Sequence, residues 1–464
     1  MPDAGDSRQK DAPAAPPLSD AEIRRLLKPL EKTAHVAAAV SGGPDSTALM
    51  AVLARWRRLL PSTPPVSVLS VDHGLRPEAA AEAALVCTQA HALDMPCHVL
   101  RWRAAERDRR EGLQARARAA RYRLLGEWCA AHDAVLVTAH ALEDQAETLL
   151  MRLRRGAGVD GLAAMAPRTV VPCRQPSAPP VVLLRPLLTV PRARLAATAA
   201  AAGLRWVEDP SNRDRTHERV RVRALLAALA GEGFTAAALA RSARRLGRAR
   251  AALDVWRDEV LARHLRIRSP HWGEIAGDVY RALPEEMRLR LLLALVARFG
   301  ARRGDHPPRL VAAERLLAAI DAGASGRWRP LGGALFGWRR GGLVAMREPG
   351  RIADVLHLPP GDGGGVWDGR VVIEVRGATM PLTVVPLAAT AATADDEREL
   401  TRRPADVPSP AWRAQPAVLA AGRLVALPLA GRQVRDAPFA RLTARLAGAP
   451  PGEEAADDGS LESF

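Results

Sequence analysis

The chain has 464 residues, 48% hydrophobic and 25% charged, with a net charge of +16. That length holds about three domains, the surplus of base suits a polyanionic partner, and no apolar run is long enough to span a bilayer. Lys10, Lys28 and Lys32 are the only lysines, so arginine carries the charge.

The first residues, 1–17, are polar and Pro/Ala-rich without an apolar signal core, and read as a disordered tail of a cytoplasmic protein. From Leu18 to about Leu229 strand and helix alternate. HVAAAV (35–40) reads as a buried strand and 45–60 as a helix; 66–72 is a second strand, followed by a helix opened by Pro77. Residues 97–102 and 134–139 read as further strands, with helices over 111–132 and 142–156. A Pro-rich loop then leads to VVLLRPL (181–187). This alternation predicts an α/β domain, a parallel sheet with helices on both faces, whose ligands bind at the carboxyl ends of the strands. Residues 230–350 read as a mainly helical domain ending in a hairpin at 333–348. Residues 351–450 read as partly β: a linker or exposed loop at 359–369, a strand in RVVIEVRG and a hairpin at 417–431. An acidic tail, 451–464, closes the chain.

Cys87, Cys97, Cys129 and Cys173 contain no C-x-x-C pair, which argues against a zinc ribbon, an iron–sulfur site or a disulfide framework. Cys87 and Cys129 sit among apolar residues and read as buried thiols.

The chemistry concentrates in Ser41-Gly42-Gly43-Pro44-Asp45-Ser46, placed after a strand and before a helix. It lacks the lysine of a Walker loop and the glycine spacing of a dinucleotide fingerprint. Gly42 and Gly43 let backbone N–H groups approach phosphate, the helix N-terminus adds partial positive charge, and Ser41 and Ser46 add hydroxyls. Asp45 is at home in such a loop if magnesium bridges it to the phosphates.

The loop resembles that of the N-type ATP pyrophosphatases, the PP-loop superfamily, which cleave ATP between its α and β phosphates. Four further segments, VDHGLRPEAAAE (71–82), ARAARYRLL (117–125), the stretch 138–165 and the stretch 185–223, together resemble the tRNA(Ile)-lysidine synthase family. The resemblance is dense over about 30–225 and weaker beyond. It implies ATP and Mg2+, a tRNA(Ile) with a CAU anticodon whose wobble cytidine is adenylated, and free L-lysine whose amine displaces AMP. It implies Asp45 and Asp144 as magnesium ligands and catalytic residues, and Glu147 as the site of lysine's ammonium. His73 joins the loop as a nucleotide contact. Arg118 and Arg221 are placed to stabilise the adenylation transition state, and Arg219 and Arg223 to meet tRNA. Arg219, Arg221 and Arg223 alternate with valines, as on an exposed strand or a tight helix end.

Between Leu142 and Leu153, apolar residues at 142, 146, 149, 150 and 153 form one helical face, read as core, while Asp144, Glu147 and Thr148 fall elsewhere. Arg241, Arg245 and Arg248 recur on one face of the following helical region and read as phosphate contacts. Two departures from the family stand out. His140-Ala141-Leu142-Glu143-Asp144 replaces the usual His-His-x-Asp-Asp, and Arg219-Val220-Arg221 replaces Arg-Asn-Arg. Two other readings remain at this point: tRNA thiolation, which wants cysteines beside the motifs, and an inactive tRNA-binding module, against which Asp45, Asp144 and Glu147 argue. Oligomeric state is not legible.

Overall fold

The structure is a computed structural model that describes residues 15–74, 78–102, 113–171, 180–207, 216–300, 308–323, 326–391 and 395–446. Most of the N-terminal tail, Pro77, the Pro-rich loop and the acidic C-terminal tail lie outside them. The chain divides into two compact units, one ending at Ala251 and the other beginning at Ala252. Among the described residues no single helix is long and apolar enough to cross a membrane.

The first unit is built on six strands: β1 (His35–Ala39), β2 (Val66–Asp72), β3 (Cys97–Arg101), β4 (Ala134–Val137), β5 (Arg168–Val171) and β6 (Val181–Leu184). Their order is β3-β2-β1-β4-β6-β5. All neighbours are parallel except β5, an antiparallel edge strand that sequence periodicity did not reveal. The helices are α1 (Asp20–Leu27), α2 (Pro44–Leu59), α3 (Glu78–Ala92), α4 (Leu113–Ala131), α5 (Leu142–Leu153), α6 (Val159–Leu162), α7 (Arg192–Ala201), α8 (Glu218–Leu229) and α9 (Ala236–His264), the last running on into the second unit.

Both faces of β1 are buried, which is why it reads as a continuous apolar run. Val36 and Ala38 pack with residues of α1, α2 and α7, whereas Ala37 and Ala39 pack on the opposite face with Leu125 and Cys129 of α4. Cys129 is a buried free thiol, as expected. Cys87 is not: α3 returns beside β3, the Cα atoms of Cys87 and Cys97 come within 5.2 Å, and the two form a disulfide. Spacing in sequence carries no sign of that approach.

The second unit is less helical than its composition suggests. Leu265–Ser269 and Trp272–Ala276 form a hairpin that joins Ala334–Arg339, Gly342–Arg347 and Arg329–Leu331 in one antiparallel sheet. The expected turn of the 333–348 hairpin is present, with Arg340 and Gly341 both at positive φ, the type I′ pattern. Two further antiparallel sheets follow. The run Gly361–Trp367, read from sequence as a loop, is a strand paired with Val371–Ala378. Two of its glycines admit close neighbours: a Cβ on Gly364 would meet the Ile373 carbonyl oxygen at 2.7 Å, and one on Gly365 would meet Leu356 Cδ1 at 2.7 Å. Arg347 and Asp368 are buried together and joined by two hydrogen bonds of 2.8 and 3.0 Å.

Candidate active site

The Ser-Gly-Gly-Pro-Asp-Ser loop joins the carboxyl end of β1 to α2. Gly42 takes φ +84°, where a side chain is strained, so glycine is needed there. Gly43 is the N-cap and Pro44 follows in the first turn, where its missing N–H costs nothing. The Ser46 hydroxyl accepts from the Ser41 N–H (3.2 Å) and donates to the Gly43 carbonyl (2.9 Å), holding the loop around the helix start. Asp45 sits in the first turn of α2, where a carboxylate is favoured.

α5 starts one residue past the loop at the end of β4. Asp144 turns one oxygen, Oδ2, back to the Ala141 N–H at 2.8 Å, capping the helix. Its other oxygen meets guanidinium groups. Asp144 is 6% exposed and Glu147 0%, so the first turn of α5 is not a solvated acidic face. The predicted apolar face holds at Ala146 and Leu149, but Leu153 is 56% exposed.

The residue that gathers this site is Arg192, the first of α7, which the sequence reading passed over. Its Nε donates to Asp45 Oδ2 at 3.1 Å, its Nη1 to Glu147 Oε1 at 2.8 Å, and its Nη2 to Asp144 Oδ1. Three carboxylates from α2 and α5 therefore converge on one guanidinium. Two more arginines approach from α8: Arg219 Nε meets Glu147 Oε2 at 2.6 Å and its Nη2 meets Asp144 Oδ1 at 3.1 Å, while Arg223 Nε meets Glu147 Oε1 at 2.7 Å. Residues 219–223 are helical, not extended, so Arg219 and Arg223 share a face at i, i+4. Arg221 falls on another face, is exposed, and donates to the Thr216 carbonyl at 2.6 Å.

Glu143, the departure next to Asp144, uses its length to accept from the Arg192 backbone N–H at 2.9 Å. Ala141 is fully buried in the core, where it packs with the apolar residues of the sheet.

These contacts set the protonation states. Burial raises the Asp45 carboxyl above the ordinary carboxylate range; Asp144 and Glu143 push the same way, and Arg192 opposes them. Burial also pushes Glu147 up, but hydrogen bonding and charge from Arg192, with Arg219 and Arg223, outweigh it and leave Glu147 below the ordinary range. Burial alone would lower Arg192, yet Asp144, Glu147 and Asp45 together raise it. His73, after β2, is held low by burial and by Arg121; its ring meets Trp102 edge-on, and its Nδ1 is buried with no hydrogen-bond partner among the described residues. Arg118 is exposed, with its guanidinium 5.2 Å from the Tyr122 ring centre.

His140 shares a hydrogen bond with Thr138 Oγ1 at 2.9 Å. Burial lowers it to about 4; Asp144 opposes this, and Arg185, Arg219 and Arg118 reinforce it. A histidine lowered on folding contributes stability above its unfolded pKa near 6.5, and that stability drains away as pH falls toward 4. Denaturant melts at pH 7 and pH 5 should differ by roughly 1–2 kcal/mol from this group. His140→Gln should narrow the gap; an equal gap in that variant would assign the acid sensitivity elsewhere.

Two carboxylate oxygens, on Asp45 and Asp144, converge on one cationic position beside a phosphate-type loop. That donor set suits magnesium, which takes one or two carboxylates and completes its shell with phosphate and water. Among the described residues no group of three or more His, Cys, Asp or Glu forms a metal cage.

A largely parallel sheet with this glycine loop at a strand end, Asp45 in the first turn of the helix that follows it and the helix-capping Asp144 of α5 joined to the same guanidinium defines a PP-loop nucleotide-binding protein. The PP-loop domain family matches residues 17–229. A tRNA(Ile)-lysidine synthase from Bradyrhizobium diazoefficiens is 45% identical over 313 residues, covering 66% of this chain and 83% of the relative. One from Ruegeria pomeroyi is 40% identical over 403 residues, 85% of this chain and 88% of that one. One from Methylobacterium nodulans is 45% identical over 351 residues, 73% of this chain and 99% of its own length. The chain belongs to the tRNA(Ile)-lysidine synthase family.

Proposed function

We propose that this protein ligates free L-lysine to the wobble cytidine of tRNA(Ile) carrying the CAU anticodon, in the cytoplasm and at the expense of ATP. In the first half-reaction a ring carbonyl oxygen of cytidine attacks the α-phosphorus and pyrophosphate leaves. In the second the lysine amine displaces AMP and lysidine results. The observation that carries this reading is the convergence of Asp45, Asp144 and Glu147 beside the glycine loop.

The chain's own groups divide the work. Loop N–H groups and the α2 N-terminus receive the triphosphate. Asp45 and Asp144 would hold Mg2+, which offsets charge developing on the departing pyrophosphate. Arg192, Arg219 and Arg223 are arginines within one side chain of the same pocket, suited to a charged transition state. Arg118, whose charge acts on His140, and His73, which follows β2, complete the proposed set. Arg221 belongs to the same proposal only if the Thr216 contact is given up.

Glu147 has a carboxylate with room for about four hydrogen bonds; three guanidinium groups take three of them. The remaining one suits an ammonium. Glu147→Gln should then raise the lysine concentration needed by roughly ten- to a hundredfold, from a charge-assisted bond of about 1.5–3 kcal/mol. Adenylation assayed without lysine should persist. An unchanged lysine requirement would leave Glu147 as an anchor for the arginines alone.

Incorporation of radiolabelled lysine into tRNA tests the whole reading. A thiolase or an inactive binding module would leave the label unincorporated.

A further inference from the structure

A groove of about 730 Å³ runs beside α5 on a different face from Asp144 and Glu147, a volume in the range that bound ligands fill. Its floor is aliphatic: Leu26, Leu30, Met165, Pro186 and Leu188. Its rim is arginine: Arg25 from α1, Arg168 from β5, and Arg241, Arg244 and Arg248 from α9. No aspartate or glutamate is among its described lining residues. All five rim arginines are exposed, and among the described residues none is paired with a carboxylate.

An uncompensated cationic rim over an apolar floor asks for a ligand that is anionic on one side and apolar on the other. The charge continues toward the reactive pocket. Arg185 lines the groove, donates to the Ala166 carbonyl at 2.8 Å, and keeps its Nε buried with no hydrogen-bond partner among the described residues. Burial and the neighbouring charges of Arg118 and Arg152 hold Arg185 below its ordinary range. Arg118 and Arg185 both act on His140, one residue from α5's cap. Leu142 and Gln145 of α5 also line the groove, so it shares with the active site the helix that carries Asp144 and Glu147.

We infer that the groove holds an unstacked, single-stranded stretch of the tRNA next to the base being modified. Phosphates would lie on the arginines, and ribose and base faces on the aliphatic floor. A duplex presents a convex, phosphate-lined surface and would leave that floor unfilled, whereas loop nucleotides can splay a base into it. This rests on the lysidine-forming reading and deepens it. It also redraws the arginine face expected from sequence: Arg241 and Arg248 line the groove, Arg244 joins them, and Arg245 does not.

The test is fluorescence anisotropy on the full chain across a salt series. One probe is an RNA hairpin with a CAU loop; the other is a blunt duplex of the stem sequence. The hairpin should bind roughly tenfold or more tightly than the duplex. Replacing Arg241, Arg244 and Arg248 together by glutamine should weaken hairpin binding and flatten its salt slope by about 2, at about 0.7 per lost phosphate contact on single strands. Met165→Glu should weaken it as well, and Arg245→Gln should not. ATP binding, unchanged throughout, reports that each variant is folded. A triple variant with the wild-type slope, or a duplex bound as well as the hairpin, overturns the inference. So does a polyglutamate peptide that binds as tightly as the hairpin. If instead the wild type binds the hairpin as stated but incorporates no lysine, the fault lies with the reaction and not with the groove.

Discussion

Asp45→Asn and Asp144→Asn are each expected to abolish adenylation, measured as pyrophosphate release, with the fold intact. The two carboxylates come from different helices, α2 and α5, and meet at one cationic position. A neutral amide there leaves phosphate charge uncompensated in the transition state. That loss is several kcal/mol, roughly a thousandfold or more in rate. Stability should survive for a local reason: Asn keeps the oxygen with which residue 144 caps the Ala141 N–H, and asparagine caps about as well as aspartate. Glu143→Gln is the matched control, because an amide oxygen can still accept from the Arg192 N–H, and it should keep most of its activity. Near-wild-type pyrophosphate release from either folded aspartate variant would remove the metal assignment.

The legible parts of this site were those where local chemistry and neighbouring pattern agree. Ser41 to Ser46 lies between an apolar run and an apolar helix, so a glycine loop there has one structural meaning. Asp144 and Glu147 fall off the apolar stripe of α5 and so stood apart in sequence, although periodicity could not tell that both would be buried. Partners distant in sequence were not legible. Arg192 is 147 residues from Asp45, and the disulfide of Cys87 and Cys97 depends on how α3 turns back along β3. One signal for Arg192 was available. An arginine in the first turn of a helix opposes the macrodipole, so it needs carboxylates nearby. In the second unit, Gly361–Trp367 hid as a strand because glycine-rich runs normally mark loops, and the close approach of Ile373 to Gly364 and of Leu356 to Gly365 accounts for glycine at those two positions.

Arg192→Met is expected to do three things at once: lower stability, stop adenylation and tighten divalent-metal binding. Removing one partner of a buried ion pair costs about 3–5 kcal/mol. Arg219 and Arg223 still cover Asp144 and Glu147, so a loss of roughly 2–3 kcal/mol is the expected share. For a domain of this size that is a fall in melting temperature of roughly 5–10 °C. Asp45 loses its guanidinium altogether, and nucleotide-driven chemistry loses a cation that can pass from carboxylate to phosphate. Mn2+ binding without nucleotide separates this from a general defect. In the wild type an incoming dication must compete with Arg192 for Asp45 and Asp144; in the variant that competitor is gone, so Mn2+ affinity should rise by roughly tenfold while the protein becomes less stable. Arg192→Lys keeps the charge but not the fork that reaches three carboxylates, and should fall between the two in all three measurements. A misfolded site would bind Mn2+ more weakly, not more strongly. If Arg192→Met melts with the wild type and binds Mn2+ no tighter, the carboxylates are ordered by α8 alone and Arg192 is incidental to them.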